Sequence, residues 1–280
     1  MLKVLMLHRI LPAKRIAAPN AYATFGTLIS QEYFEQVLTR IIDLGFTFIN
    51  ITEGIKQTKT DKLIALTFDD GYADNFEFAL DSLHKFKATA TFFPVVQPCR
   101  DNTILPLDTY YEWIDGTDTT EEKRRDFITG DTKKAFYWAN AEQQYRFLKQ
   151  NYLKRPNENT LSYLQPKQIK ILADSGFEIG SHSMTHALFT ANYMDDSKIN
   201  FEMKQSKMYL ETLTSKPVNS FCFPSGYYSN KMIEQAKELG YTSVCLIKKN
   251  KNEVIKTLPF FERFFVKPNA LDELTTYLTI

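Results

Sequence analysis

Two short strings carry the residue types that metal-assisted hydrolysis needs: Thr67-Phe68-Asp69-Asp70-Gly71 and His182-Ser183-Met184-Thr185-His186. The first offers two adjacent carboxylates. The second offers two imidazoles four positions apart, and these are two of only four histidines in the chain. Such a set can hold one divalent cation and leave one carboxylate free to move a proton. Adjacent carboxylates repel, and a bound cation relieves that repulsion by favouring the ionised form of the one it touches. Neighbouring side chains on a strand point to opposite faces. Both aspartates can therefore serve one site only if the backbone turns after them, and Gly71 supplies the freedom to turn. If 182–186 is helical, its two histidines share a face. Each string alone has a plainer reading: solvated carboxylates that cap a following helix, or polar histidines on a loop.

The elements that must position these residues follow a strand–helix rhythm. Val4 to Leu7 reads as a strand. Ser30 can cap a helix whose apolar face is Phe34, Val37, Leu38, Ile41 and Ile42, ended by Gly45, with a strand at Phe46 to Ile49. Strands follow at Leu63 to Phe68, Ala90 to Phe93, Phe177 to Ile179, Ser220 to Phe223, Tyr241 to Cys245 and Phe264 to Val266. Helices are expected at Asp74 to Phe86, Pro166 to Ser175, Asp195 to Leu213, Asn230 to Leu239 and from Leu271. Alternation of this kind implies parallel pairing and an α/β fold. About seven units suit a distorted (β/α)7-type barrel better than an open sheet. His8, Asp69, Asp70, His182 and Pro224 each follow a strand directly, where barrel enzymes keep their chemistry. The segment at about 97–159 breaks the rhythm and contains both tryptophans, Trp113 and Trp138. It reads as a partly helical insertion on the rim of one domain spanning 1–280, either a lid or substrate wall or a solvated excursion.

Composition narrows the class. Thirty-four basic and 33 acidic residues give a formal charge of +1, which favours neither nucleic acid nor an anionic membrane. No apolar run is long enough to span a bilayer, and the run before His8 is too short for a signal peptide, so a cytoplasmic protein is expected. Cys99, Cys222 and Cys245 form no metal-binding or redox pair and are expected as buried free thiols. His84 falls within a helix and is expected at the surface. The many Phe and Tyr residues fit core packing or aromatic walls around a sugar-like ligand.

Together the motifs resemble the polysaccharide deacetylases with a NodB homology domain, carbohydrate esterase family 4. Thr67-Phe68-Asp69-Asp70-Gly71 matches the family's first motif throughout, and His182 to His186, preceded by Glu178-Ile179-Gly180-Ser181, matches the second. Ala90-Thr91-Phe92-Phe93 is a third familiar stretch. The resemblance covers most of the chain outside the insertion. It implies a NodB-like barrel in which Asp70, His182 and His186 bind one divalent metal, zinc first, with Co2+, Ni2+ or Fe2+ as alternatives, and Asp69 is the general base. The family's usual acid is a histidine near the C-terminus. None follows His186 here, but Leu7-His8 ends the first strand, as in the circularly permuted branch that includes poly-N-acetylglucosamine deacetylases. His8 is thus the candidate acid. The third motif, Arg-x-Pro-aromatic-Gly, corresponds to Cys222-Phe223-Pro224-Ser225-Gly226. Pro224 and Gly226 are kept and Ser225 can offer an oxyanion N–H, but the arginine has become Cys222. Arg263 is the candidate replacement partner for Asp69. Its alternative is a surface pair with Glu262.

The resemblance implies hydrolysis of N-acetyl groups from an amino sugar in a glycan or oligosaccharide, and the expected cytoplasmic location points to a nucleotide- or lipid-linked precursor. Two other readings share these residues: a metal-dependent hydrolase of a non-sugar amide, and a non-catalytic glycan-binding relative.

Overall fold

Period-two alternation along the strands decides which side chains can meet at one site. In the computed structural model, which describes residues 2–18, 20–57, 62–151, 161–248, 255 and 257–280, the strands in chain order are β1 (Lys3–Leu7), β2 (Arg9–Leu11), β3 (Leu28–Ser30), β4 (Thr47–Phe48), β5 (Leu63–Asp70), β6 (Ala90–Pro94), β7 (Glu178–Ile179), β8 (Ser220–Cys222), β9 (Ser243–Leu246), β10 (Phe260–Glu262) and β11 (Phe264–Phe265). One parallel sheet runs β11-β1-β5-β6-β7 and a second runs β10-β9-β8. A parallel bridge between Ser181 and Phe221 joins β7 to β8, and only Arg263 separates β10 from β11. The ring therefore closes as a distorted parallel (β/α) barrel, with β10 and β11 as two halves of one stave. The first strand lies against the last, with Leu5 opposite Phe264.

Alternate residues sort to the two faces. Val4, Ala65, Phe93, Cys222 and Cys245, one from each of five strands, form a separate buried cluster with Ile51. They fill the barrel centre, where small thiols pack as apolar groups. Gly180 is needed beside it, because a Cβ there would come within 2.2 Å of the Phe93 ring. The opposite residues, among them Leu5, Leu66, Phe68, Phe92, Phe221 and Val244, belong to the larger cluster beneath the helices. In that layer Phe68 stacks on Phe92 at 5.1 Å and meets Phe34 edge-on at 5.8 Å. Asp69 continues the inward row of Ala65 and Thr67.

Helix Gln31–Asp43 starts as expected, with the Ser30 side chain accepting from the Tyr33 N–H. Phe34, Val37, Leu38 and Ile41 are buried, but Ile42 is 45% exposed and lies off that face. The strand expected at Phe46 to Ile49 shrinks to β4, which pairs only with the first residues of β5 and forms no stave. The segment at 182–186 is not helical; it is an irregular loop with Ser183 and His186 at positive φ. The expected insertion holds helices Val96–Asp101, Pro106–Gly116, Glu121–Thr129, Asp131–Trp138 and Ala141–Asn151, while its end, 152–159, lies outside the described residues. Tyr110, Trp113, Ile128 and Phe136 of this segment are buried in the same cluster as the sheet's outer face. His84 is exposed, and all three cysteines are buried and free. Among the described residues, no helix is long and apolar enough to cross a membrane.

Because Phe68 couples the central strand to the helix layer, Phe68→Ala should cost ~3–5 kcal/mol of unfolding free energy. Urea denaturation measures it, and a loss below ~1 kcal/mol would contradict this packing role.

Candidate active site

β5 delivers both aspartates, but not as a simple strand followed by a turn. Asp70 itself takes φ +71, and Gly71 follows at +80. The reversal thus begins one residue earlier than Gly71, at Asp70, and swings its carboxylate to the side that Asp69 faces. A side chain at Gly71 would also meet the Pro94 backbone at 2.9 Å. The Asp70 Oδ1 atom lies 3.4 Å from His182 Nε2 and 3.4 Å from His186 Nε2. It is buried and accepts no hydrogen bond. Ligand atoms ~2.0–2.2 Å from a tetrahedral zinc are spaced about 3.3–3.5 Å apart, which is the spacing seen here. His182 donates Nδ1–H to the Cys222 carbonyl at 2.8 Å, leaving the Nε2 lone pair for a cation. Burial pushes the His186 pKa down to about 4 against the opposing pull of Asp70, so its ring is neutral and able to ligate. The residues therefore fit a divalent metal held by Asp70, His182 and His186.

A second group, Asp69, His182 and Cys222, is also close enough to share an ion. It is unsuitable, because both Asp69 oxygens are already engaged and burial raises the Cys222 thiol pKa.

Arg263 is what engages them. Its Nη1 donates to Asp69 Oδ1 and its Nη2 to Oδ2, each at 2.7 Å. Both side chains are buried, so the alternative of a surface pair with Glu262 is excluded. Nη1 also donates to Thr67 Oγ1 at 3.1 Å, and Thr67 Oγ1 donates to the Leu5 carbonyl at 2.7 Å. Burial alone would raise the Asp69 pKa, but the Arg263 charge and its hydrogen bonds, helped by His182, hold it below the ordinary value. The Cys222 thiol donates to Asp69 Oδ2 at 3.6 Å. The guanidinium thus reaches Asp69 from the β10–β11 junction, while the third motif's position on β8 holds a small thiol.

His8, Asp69, Asp70, His182, His186, Ser225 and Arg263 line one cavity of about 420 Å3. The His8 Nδ1 is buried without a hydrogen-bond partner, and its ring meets Phe265 edge-on at 5.6 Å. Burial lowers the His8 pKa, against Asp70 and Asp69, which raise it. Ser225 adopts φ +56 in the turn Pro224–Gly226. Pro224 is buried behind that turn, and Gly226 packs against Ile247, so neither lines the cavity. A second cavity of about 940 Å3 adjoins the first at His186, Leu107 and Tyr137.

Several supporting residues were not foreseen from sequence. The Glu202 carboxylate accepts the Met184 N–H at 2.9 Å, the Thr185 N–H at 2.8 Å and the Thr185 hydroxyl at 2.7 Å, clamping the histidine loop from helix Asp196–Thr214. Asp108, in the insertion, accepts hydroxyl hydrogen bonds from Tyr22 and Tyr72 at 2.9 Å each and a third from Tyr163. This ties the rim to the residues just after Asp70. Asn75 donates to the His8 carbonyl at 2.7 Å, and Arg9 pairs with Asp74 at 2.8 Å, fixing the backbone on either side of the His8 carbonyl. These partners are remote in sequence and belong to no local pattern; only Asp74-Asn75, just beyond the first motif, offered a nearby signal.

No curated protein matches the chain. Among solved structures it resembles the deacetylase PplD of Streptococcus pyogenes in complex with acetate, at 19% identity over 99% of this chain and 97% of that one, with a TM-score of 0.67. It resembles IcaB from Ammonifex degensii at 18% identity over 100% and 97%, TM-score 0.64. It also resembles the polysaccharide deacetylase BC0361 of Bacillus cereus at 20% identity over 99% and 68%, TM-score 0.66. At these identities the likeness is one of fold. The family model for polysaccharide deacetylase matches residues 56–244, and the chain belongs to that family.

Proposed function

We propose that the protein is a metal-dependent N-deacetylase of amino sugars in a glycan or glycan precursor. The observation that carries this reading is the pairing of an ionised, arginine-held Asp69 with the adjacent triad of Asp70, His182 and His186 in one cavity. When bound, a divalent metal supplies Lewis-acid chemistry, polarising the acetamide carbonyl and acidifying water. Two imidazoles and one carboxylate suit zinc, and also Co2+, Ni2+ or Fe2+.

Asp69 accepts the proton of the attacking water as general base. Arg263 acts as a positioning residue: its two parallel hydrogen bonds fix the plane of the Asp69 carboxylate and keep it ionised. Ser225 offers a backbone N–H to the oxyanion of the tetrahedral intermediate. His8 supplies a proton to the departing amine. Its lowered pKa makes the imidazolium a stronger acid, while Asp70 and Asp69 offset part of the penalty that burial places on that charged form.

His182 shows how metal and proton compete. Burial opposes a charge on its ring, but the Asp69 and Asp70 carboxylates favour it and its pKa is raised. The metal-free site therefore keeps a proton that metal must displace. Zinc binding near neutral pH should release one proton, weakening about tenfold per pH unit as pH falls. Calorimetry in two buffers of different ionisation enthalpy reads the proton directly; equal apparent heats would refute the exchange.

Replacing Asp69 with Ala should lower acetate release from an N-acetylhexosamine substrate by at least ~100-fold, with zinc content unchanged. Unaltered turnover in that variant would sink the assigned base. His8→Ala should slow amide cleavage by ~10²–10⁴ while sparing an activated ester whose leaving group needs no proton. Equal losses on the two substrates would give His8 a different task.

A further inference from the structure

The insertion's helix Asp131–Trp138 places Lys133, Lys134, Tyr137 and Trp138 on the wall of the cavity that holds the metal triad. Lys134 is exposed and paired with Asp131 at 3.0 Å. Lys133 is half-buried and sits differently. Its Nζ lies 3.3 Å from the centroid of the Phe25 ring, with Tyr111 at 5.4 Å and Tyr137 at 6.0 Å. Among the described residues it makes no ion pair and no hydrogen bond. Aromatic faces attract an ammonium, but they offer nothing for its three N–H donors. Its partial burial pushes the pKa down to about 8, so it still carries its charge at neutral pH.

The charges of the cavity point the same way. Asp69 is matched by Arg263. Among the described residues Asp70 is the other carboxylate lining this cavity, and a divalent ion would more than balance it. What remains is an uncompensated ammonium, held in place by three rings and facing the space a substrate must fill. A neutral sugar has nothing to match it.

We propose that Lys133 is a specificity-determining residue that binds an anionic group, a phosphate or a carboxylate, carried by the amino sugar whose acetamide reaches the triad. The inference rests on the deacetylase reading for its sugar and adds the substrate's charge. Phosphate would come from a sugar-phosphate unit such as a lipid- or nucleotide-linked precursor, and carboxylate from a neighbouring uronic acid.

The test uses the full chain loaded with zinc. Binding is followed by tryptophan fluorescence, since Trp138 lines the cavity. The probes are N-acetylglucosamine, its 1-phosphate, and an N-acetylglucosaminyl-glucuronic acid disaccharide. At least one anionic sugar should bind about tenfold more tightly than the neutral one, equivalent to ~1.4 kcal/mol. Lys133→Gln should erase that preference without weakening the neutral sugar, and Lys133→Arg should keep it. The tighter anionic probe identifies the source of the charge. Equal binding of all three sugars by the unmodified protein, binding of none, or a preference that survives Lys133→Gln through direct contact with zinc would each overturn the proposal. Acetate release is scored separately. Its absence with the binding preference intact removes the deacetylase reading alone, and release without a preference removes the role of Lys133 alone.

Discussion

The buried pair of Asp69 and Arg263 is the constraint around which the site is arranged. Both charges are withdrawn from water, and each is tolerable only because the other is met in a two-pronged geometry. Removing either partner would strand the other as a buried charge. The pair also commits the backbone. Arg263 must lie where β10 gives way to β11, Thr67 must present its hydroxyl between the guanidinium and the Leu5 carbonyl, and β1 must stand between the two strands. Closure of the barrel and ionisation of Asp69 are therefore one event viewed at two scales.

Around that pair lie four of the eight non-glycine residues that, among the described residues, take positive φ. Asp70, Ser183, His186 and Ser225 all occupy the left-handed region without being glycine, a conformation that costs free energy and persists only where its surroundings hold it. The surroundings are identifiable. Glu202 grips the histidine loop, Ser183 Oγ accepts the His186 N–H at 2.9 Å, and the His182 N–H bonds the Pro94 carbonyl at 3.2 Å. Asp108 and its tyrosines brace the chain beyond Asp70 from the insertion side. Burial pushes the Asp108 carboxyl up to about 6, even though the three hydroxyls oppose the shift.

Much of this was legible in the sequence because it rests on local chemistry. Strand positions followed from apolar runs and the start of helix Gln31–Asp43 from Ser30, while the grouping of Asp70, His182 and His186 followed from the family resemblance of the motifs that carry them. What was not legible depended on distance. Nothing local distinguished Arg263 as the partner of Asp69 from Arg263 as the partner of Glu262, because the deciding fact is which residues surround it once the barrel closes. The histidine spacing suggested a helix, yet the rings meet across a loop because Glu202, from another helix, replaces the hydrogen bonds a helix would have made. Ile42 matched the apolar stripe by type but lies past its edge, and β4 had the composition of a stave but only the lowest part of β5 to pair with.

The neighbouring of the first and last strands has a consequence for how the molecule matures. His8 stands at the end of the first strand and Arg263 just before the last, while Asp70, His182 and His186 come from between them in the sequence. No contiguous fragment contains a whole site. Contacts such as Leu5 with Phe264 span nearly the full sequence, and pairings of that separation form late and slowly. A growing polypeptide that already carries Asp69, Asp70, His182 and His186 still lacks the guanidinium that pairs with Asp69. Under the proposed hydrolase reading, the site would be complete only once synthesis has passed the last stave.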